Sequence, residues 1–291
     1  MDARSLQALA DISTRYIFRP GTSGPLRSIS RRTPLENVRT HLLPVNLEIS
    51  EHDAMFREDQ RRFGDKVARE AYISCGESAL NAMLASLELA RADTPKRILD
   101  FGAGAGRVTR WVQAAFPQAV IEACDTREDD LAFCRDHLGV EVWSSTTDVL
   151  TLRAPTTYGL IWVGSVLTHL NAANAETLMR KWMDWLDVGG LLVATTHGRT
   201  AIKLEAATPG IYGIDAGRWE QVLTDYRNVG YGYADYIEGS KYGVSLTSPR
   251  WIAELVMRWR DCRLVAIAES AWERHQDVIA LQRLSAAPLA E

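Results

Sequence analysis

The stretch Arg97-Ile-Leu-Asp-Phe-Gly-Ala-Gly-Ala-Gly-Arg107 decides the fold. An apolar run predicts a strand over 96–101. It carries Asp100 near its end and passes through Gly102, Gly104 and Gly106 into a predicted helix over 105–116. Glycines at this spacing let the backbone turn sharply and approach a ligand closely. The helix start beyond them presents free N–H groups. In an open parallel sheet, ligands lie beyond the carboxyl ends of the strands, where this loop falls. A dinucleotide fingerprint would need G-x-G-x-x-G. Counted from Gly102 the third glycine falls on Arg107, and counted from Gly104 it falls on Thr109, so the pattern fails in both registers. The observed pattern is acidic-x-G-x-G-x-G.

Downstream, strand and helix signals alternate. A second strand is expected over 119–124 and a helix over 127–138, with Gly139 where a left-handed cap belongs. Strands follow over 140–144 and 160–164. A helix over 175–186 is expected, with Asn174 as its cap and an apolar stripe of Leu178, Met179, Trp182, Trp185 and Leu186. Gly189-Gly190 then turns into a strand over 191–195. This alternation predicts a parallel sheet with helices on both faces. Residues 198–247 show weak periodicity and hold six of the nine tyrosines. A helix over 249–260 precedes two strands, 263–268 and 278–281, read as an antiparallel hairpin at the sheet edge. Upstream, 53–92 reads as helical, with Gly64 and Gly76 as its breakers.

Composition narrows the function. Of 291 residues, 46% are hydrophobic and 24% charged, enough to bury a sizeable core. Lys plus Arg number 33 against 37 Asp plus Glu, a net charge of −4, which disfavours nucleic acid as a partner. No run is long and apolar enough to span a membrane. Four scattered cysteines without a CxxC pair fit a reducing compartment, so a cytoplasmic location is expected and a thiolate metal site is not. No His/Cys/Asp/Glu grouping has metal-ligand spacing. Residues 1–40 hold seven arginines and no lysine, read as an arm packing on the main domain. Asp2 and Asp11 count against a transit peptide there.

Asp125 closes the second strand, where an acid can bond both ribose hydroxyls of an adenosine; it can also cap the next helix. At this point the chain resembles the class I S-adenosylmethionine-dependent methyltransferases. The matching stretches are Leu99-Asp-Phe-Gly-Ala-Gly-Ala-Gly106, Ile121-Glu-Ala-Cys-Asp125, Tyr158-Gly-Leu-Ile-Trp-Val-Gly-Ser-Val-Leu-Thr-His-Leu170 and Leu186-Asp-Val-Gly-Gly-Leu-Leu-Val-Ala-Thr195. They stand in the family's order, over about residues 70–285. A finer similarity, to bacterial small-molecule and cell-surface-glycan methyltransferases, rests on Ser165-Val-Leu-Thr-His-Leu170 and Trp272-Glu-Arg-His-Gln-Asp-Val278.

The resemblance implies an α/β fold: a doubly wound, mostly parallel, seven-stranded Rossmann-like sheet whose last hairpin is the antiparallel edge. It implies two regions, an N-terminal arm and helical lid over 1–92 and a methyltransferase domain over 93–291. The second would contain an acceptor-binding insertion at about 198–248. It implies S-adenosylmethionine as cofactor, with its methionine portion on Asp100, Gly102, Ala103, Gly104 and Gly106, and its ribose on Asp125 beside Thr126. Asp148 and Val149 would face the adenine, Gly164 and Ser165 would line the fourth strand's end, and Tyr72 would belong to the lid. One departure is Gly159, where the family usually has an acid.

Methyl transfer from a sulfonium is an in-line displacement, so positioning carries much of the work. A hydroxyl acceptor also needs a base. His169 follows the fourth strand and His197 the fifth, both on the ligand side. His275 and Asp277 in the final hairpin would share a strand face. The expected function is methyl transfer to a small molecule or glycan, with oxygen favoured. Nitrogen or carbon methylation on the same fold, and a non-catalytic binder of S-adenosylmethionine or S-adenosylhomocysteine, stay open. The oligomeric state is not legible in the residues.

Overall fold

The computed structural model describes residues 42–285, and the expectations for the Arg-rich arm lie outside them. Two helices come first, α1 (Ala54–Phe63) and α2 (Asp65–Ala90), parted at Gly64. Then follow β1 (Arg97–Phe101), α3 (Thr109–Ala115), β2 (Val120–Asp125), α4 (Glu128–Phe133) with a π turn over Cys134–Leu138, β3 (Glu141–Ser144) and β4 (Tyr158–Val163). Next come a 3₁₀ turn (Leu167–His169), α5 (Ala172–Asp184) and β5 (Leu186–Thr196). The segment of weak periodicity, 198–247, contains α6 (Arg199–Ala207), α7 (Ala216–Val229), β6 (Tyr231–Asp235) and β7 (Gly243–Thr247). The chain then runs through α8 (Pro249–Met257), β8 (Cys262–Trp272) and β9 (Gln276–Arg283).

The main sheet has seven strands in the order β3-β2-β1-β4-β5-β9-β8. All neighbours through β5 pair in parallel, and β9 joins β5 and β8 antiparallel. This is the expected doubly wound sheet with a terminal hairpin. β6 and β7 form a separate two-stranded antiparallel ribbon.

Alternation along the strands splits the core into two layers. Ile98, Ala123, Leu160, Trp162 and Val193 face α2 and α3, beside Met83, Leu87 and Val112. Leu99, Phe101, Cys124, Ile161, Val163 and Leu192 face α5 and α8, beside Met179, Trp182 and Ile252. A smaller core of Ile214, Trp219, Val222, Val244 and Leu246 holds the β6–β7 ribbon to α7. α2 is thus part of the main core rather than a detached cover.

Several boundaries differ from expectation. α5 starts three residues early, because Asn171 rather than Asn174 caps it: the Asn171 side chain accepts from Asn174 N at 2.9 Å. Leu186 opens β5 rather than ending α5, and Gly189 sits inside that strand at φ +85. α3 begins at Thr109, since the loop glycines occupy the turn expected to be its first turn. Gly159 has a local reason: a Cβ there would lie 3.1 Å from Pro95 Cβ.

Candidate functional site

The parallel strands all end on one edge, and the glycine loop rises from the middle of it. Gly102 N and Ala103 N donate to Cys124 O at 2.8 and 3.1 Å, which lays the loop over the end of β2. Gly102, Gly104 and Gly106 adopt φ of +78, +53 and +76. Their surroundings differ. A Cβ on Gly102 would lie 2.6 Å from Val166 Cγ2, and one on Gly106 would strike Leu138, so both are packing glycines. A Cβ on Gly104 would meet nothing within 4 Å, so the loop opens there.

Asp125 borders this opening. Its Oδ2 accepts from Gly104 N at 2.8 Å, and its Oδ1 accepts from Thr126 N at 2.7 Å and Arg127 N at 3.1 Å. The helix cap position falls on Arg127, which has no side-chain cap bond, so Asp125 organises the loop rather than capping α4. Thr126 Oγ1 also donates to Oδ1, at 3.5 Å, whereas Oδ2 accepts from Gly104 N alone and keeps its second lone pair. Behind the loop, Asp100 is buried and accepts from Thr109 Oγ1 at 2.7 Å. Burial pushes its carboxyl up to about 7. Thr109 entered the sequence reading only as a missing glycine. Its role depends on a contact no local pattern reveals.

Tyr72 lies 2% exposed under the loop and donates to Asp53 Oδ2 at 2.9 Å. Asp53 also caps α1 through Phe56 N, so one carboxylate joins both N-terminal helices. Asp148 is exposed, and its side chain accepts from Leu150 N at 3.0 Å, a local turn. Val149 packs against the Phe101 side of the core.

At the end of β4, Ser165 takes φ +59 and is held by a closed polar ring. Ser165 N donates to Thr195 Oγ1 at 2.9 Å, Thr195 Oγ1 donates to Gln276 Oε1 at 2.6 Å, and Gln276 Nε2 donates to Ser165 Oγ at 2.7 Å. The ring ties β4, β5 and β9 together. Gly164 beside it leaves room for two indoles: a Cβ there would lie 3.0 Å from Trp162 Nε1 and 3.1 Å from Trp272 Cη2.

Three of the six histidines converge on this edge. His169 sits with Nδ1 2.9 Å from Gly243 O and 3.2 Å from Tyr236 Oη, its ring stacked on Tyr242. A carbonyl only accepts, so Nδ1 carries the proton and Nε2 the lone pair. Nε2 has no hydrogen-bond partner among the described residues. Burial holds this imidazole's pKa below its ordinary value. His197 is more enclosed, 5% exposed with Nδ1 unpartnered. Burial, with His275 and His169 nearby, pushes its pKa down to about 3. Its ring stacks on His275 at 5.1 Å, and His275 Nε2 lies 2.7 Å from Tyr212 Oη. Asp277 does not join them. It is buried, accepts from Ser270 N at 2.8 Å and fills the space at Gly198.

The inserted segment supplies Tyr212, Tyr236 and Tyr242 to these histidines. Tyr231 and Tyr233 do other work, donating to Leu170 O and Asp235 Oδ1. Two bonds moor the ribbon to the edge, Thr247 N to His197 O and Ser245 Oγ to Leu167 O.

Residues 98–190 match the model of a methyltransferase domain family. A malonyl-[acyl-carrier protein] O-methyltransferase of Bacillus cereus is 28% identical over 147 residues, 50% of this chain and 54% of that protein. A trans-aconitate 2-methyltransferase of Mycobacterium sp. strain KMS is 32% identical over 135 residues, 44% of this chain and 49% of that protein. The chain thus spans about half the length of these curated relatives. Among solved structures, an S-adenosylmethionine-dependent methyltransferase from Clostridium acetobutylicum shares the fold at a TM-score of 0.52 and 11% identity, over 79% of this chain and 99% of that one. No helix of the described residues is long and apolar enough to cross a membrane. Residues 98–190 are thus similar to a methyltransferase domain, and the strand order and glycine loop give the fold shared with the Clostridium acetobutylicum structure.

Proposed function

We propose that the protein transfers a methyl group from S-adenosylmethionine to a small-molecule or glycan acceptor, on oxygen. The observation that carries this reading is the opening at Gly104, bordered by Asp125, on the sheet edge whose β4 and β5 ends also carry the histidine–tyrosine cluster. When bound, S-adenosylmethionine supplies an electrophilic methyl on a sulfonium sulfur. Asp125 keeps an acceptor site for a ribose hydroxyl, and its bond to Gly104 N aims it at the opening. Asp100 places its carboxyl behind the loop, where positive charge on the methionine end favours the ionised form. Of the remaining candidates, Ala103, Thr126 and Asp148 belong to the same proposed surface, and Tyr72, Gly102, Gly106, Val149, Gly164 and Ser165 support it through the packing and hydrogen bonds described above.

Of the two candidate bases, His169 suits the proton transfer. Its Nδ1–H is held by Gly243 O, which leaves Nε2 to take the acceptor's hydroxyl proton as the new O–C bond forms. His197, with its pKa near 3, holds a proton poorly and supports His275 and Tyr212 by stacking. The name of the Bacillus cereus relative, an O-methyltransferase, supports oxygen as the acceptor atom.

Calorimetric titration with S-adenosylmethionine, S-adenosylhomocysteine and NAD tests the cofactor. Micromolar binding of the two adenosyl sulfur compounds with NAD silent is expected. Binding of NAD, or of none of the three, overturns the reading. Screening hydroxyl-bearing small molecules and glycans for radiolabelled methyl uptake then tests the acceptor class.

A further inference from the structure

Two turns of the inserted segment close on the sheet edge and bring aromatic rings to it. Glu205 accepts from the Gly210 and Tyr212 backbone N–H groups and so fixes the first turn. A Cβ on Gly213 would lie 3.6 Å from the Tyr236 ring, so this turn meets the one that carries Tyr236 and Tyr242. Three large side chains on the two turns stay open to solvent: Ile211 is 46% exposed, Ile237 75% and Tyr242 54%. Tyr242 is stacked on His169 with ring centres 4.8 Å apart. The charge of Asp125, which borders the Gly104 opening, acts on the Tyr242 hydroxyl. This ring thus reaches from the proposed base toward the opening.

Among the described residues, no lysine or arginine side chain bonds to, or lies over, the rings of these tyrosines and of the three histidines. Arg218 reaches only the Tyr236 backbone and pairs with Asp215, and Lys241 is exposed. The charged groups that act on the tyrosines are acids, Asp125 on Tyr242 and Glu205 on Tyr212. Burial lowers the pKa of all three imidazoles, so they are neutral at pH 7. An anionic acceptor finds no counter-charge in such a cluster. A polyol needs a partner for each hydroxyl it buries. Here Tyr212 Oη is bonded to His275 Nε2, and Tyr236 Oη to His169 Nδ1, so few polar ends are left for one. Flat faces and one free base remain. We infer that the acceptor is a neutral phenol, its aromatic ring laid against Tyr242 and its hydroxyl set at His169 Nε2. This rests on the oxygen methylation proposed above. His169 Nε2 takes the phenolic proton as the O–C bond forms and the C–S bond breaks, its electron pair staying on sulfur, and the proton then passes to water. The acidity of the acceptor suits this base: a phenol ionises at about 10, an aliphatic hydroxyl near water's value of about 15.7, and burial has weakened His169 as a base.

The test titrates 2-naphthol, a methyl glucoside and trans-aconitate by calorimetry onto the full chain saturated with S-adenosylhomocysteine. Uptake of radiolabelled methyl from S-adenosylmethionine is read on the same compounds. 2-Naphthol alone is expected to bind and to take the label. Tyr242→Ala is expected to weaken 2-naphthol by about tenfold or more while S-adenosylhomocysteine stays within about threefold, and Tyr242→Phe, which keeps the ring, is expected to restore binding. Binding of the glucoside or the acid, alone or as tightly, overturns the inference. So does 2-naphthol that fails to bind, that binds without taking the label, or that binds Tyr242→Ala as tightly as the wild type. A wild-type protein that does not bind S-adenosylhomocysteine removes the cofactor reading instead, an outcome visible before any acceptor is added.

Discussion

Gly104 and Gly106 share a positive φ but guard different things. At Gly104 the space is open, so a side chain there costs about 1–2 kcal/mol in backbone strain and stands where a ligand would lie. Gly104→Val is expected to fold, lose a modest part of its stability and lose S-adenosylhomocysteine binding in calorimetry. Gly106→Ala drives a methyl into Leu138 and Cys134, so it is expected to lower the melting temperature through overpacking of about 1–3 kcal/mol. The reverse pattern would reassign the opening. His169 carries a pH signature. Its pKa is lowered from 6.5, so Nε2 is free at neutral pH and protonated only in acid. Turnover is therefore expected to be flat near pH 7 and to fall below 6.5, with His169→Gln slowing it by roughly 10²–10⁴-fold and sparing cofactor affinity. An unaltered rate in that variant removes His169 as the base. The glycines and Asp125 were legible because their conformations and strand-end positions are local. Thr109, Thr195 and Gln276 were not, because each acquires its role from a partner on another element.

At the scale of elements, caps decide boundaries that periodicity cannot. Asn171 and Asn174 are the same residue type three positions apart, and either could start α5. The structure uses Asn171 as acceptor and Asn174 as donor. Asn171→Ala is expected to cost about 1 kcal/mol in denaturant unfolding, and Asn174→Ala less than about 0.5 kcal/mol, since its backbone N–H remains. Equal losses would place the cap elsewhere. The helix over 127–138 was legible to its end at Gly139, but not its last turn, which loosens into a π turn over Cys134–Leu138. At the start of that turn Cys134 Sγ donates to Gly104 O at 3.4 Å, which ties the turn to the loop. The segment 198–247 was the least legible. Its two helices and ribbon bury a small core of their own, and the glycines and tyrosines along it diluted the apolar period.

At the scale of the molecule, register gathers what the chain scatters. The β5–β9 pairing sets Thr196 opposite Asp277, and just beyond the last pair His197, one residue on, stacks on His275, two residues back, at the sheet edge. The mostly parallel sheet with its antiparallel hairpin was legible; this meeting was not, because it depends on which strand the hairpin pairs with, and β9 enters beside β5. The meeting has a thermodynamic consequence. The folded state holds the His197 pKa at about 3, against an ordinary value of 6.5. As pH falls through 6.5 the unfolded chain takes up a proton there and the folded chain does not, so acid favours unfolding. The loss grows by about 1.4 kcal/mol per pH unit, reaching about 2 kcal/mol at pH 5. Asp100 works the other way: its folded pKa is raised to about 7 from 3.8, so the folded state takes its proton first and gains on acidification. The wild-type profile therefore mixes two opposed slopes, and a difference measurement separates them. His197→Gln removes one titration and leaves Asp100 in place. Denaturant unfolding of both proteins at pH 7 and pH 5 is expected to show the wild type losing about 2 kcal/mol relative to the variant over that interval. A constant gap between the two proteins would mean that His197 is protonated as readily in the fold as out of it, and that the histidine cluster opens to water.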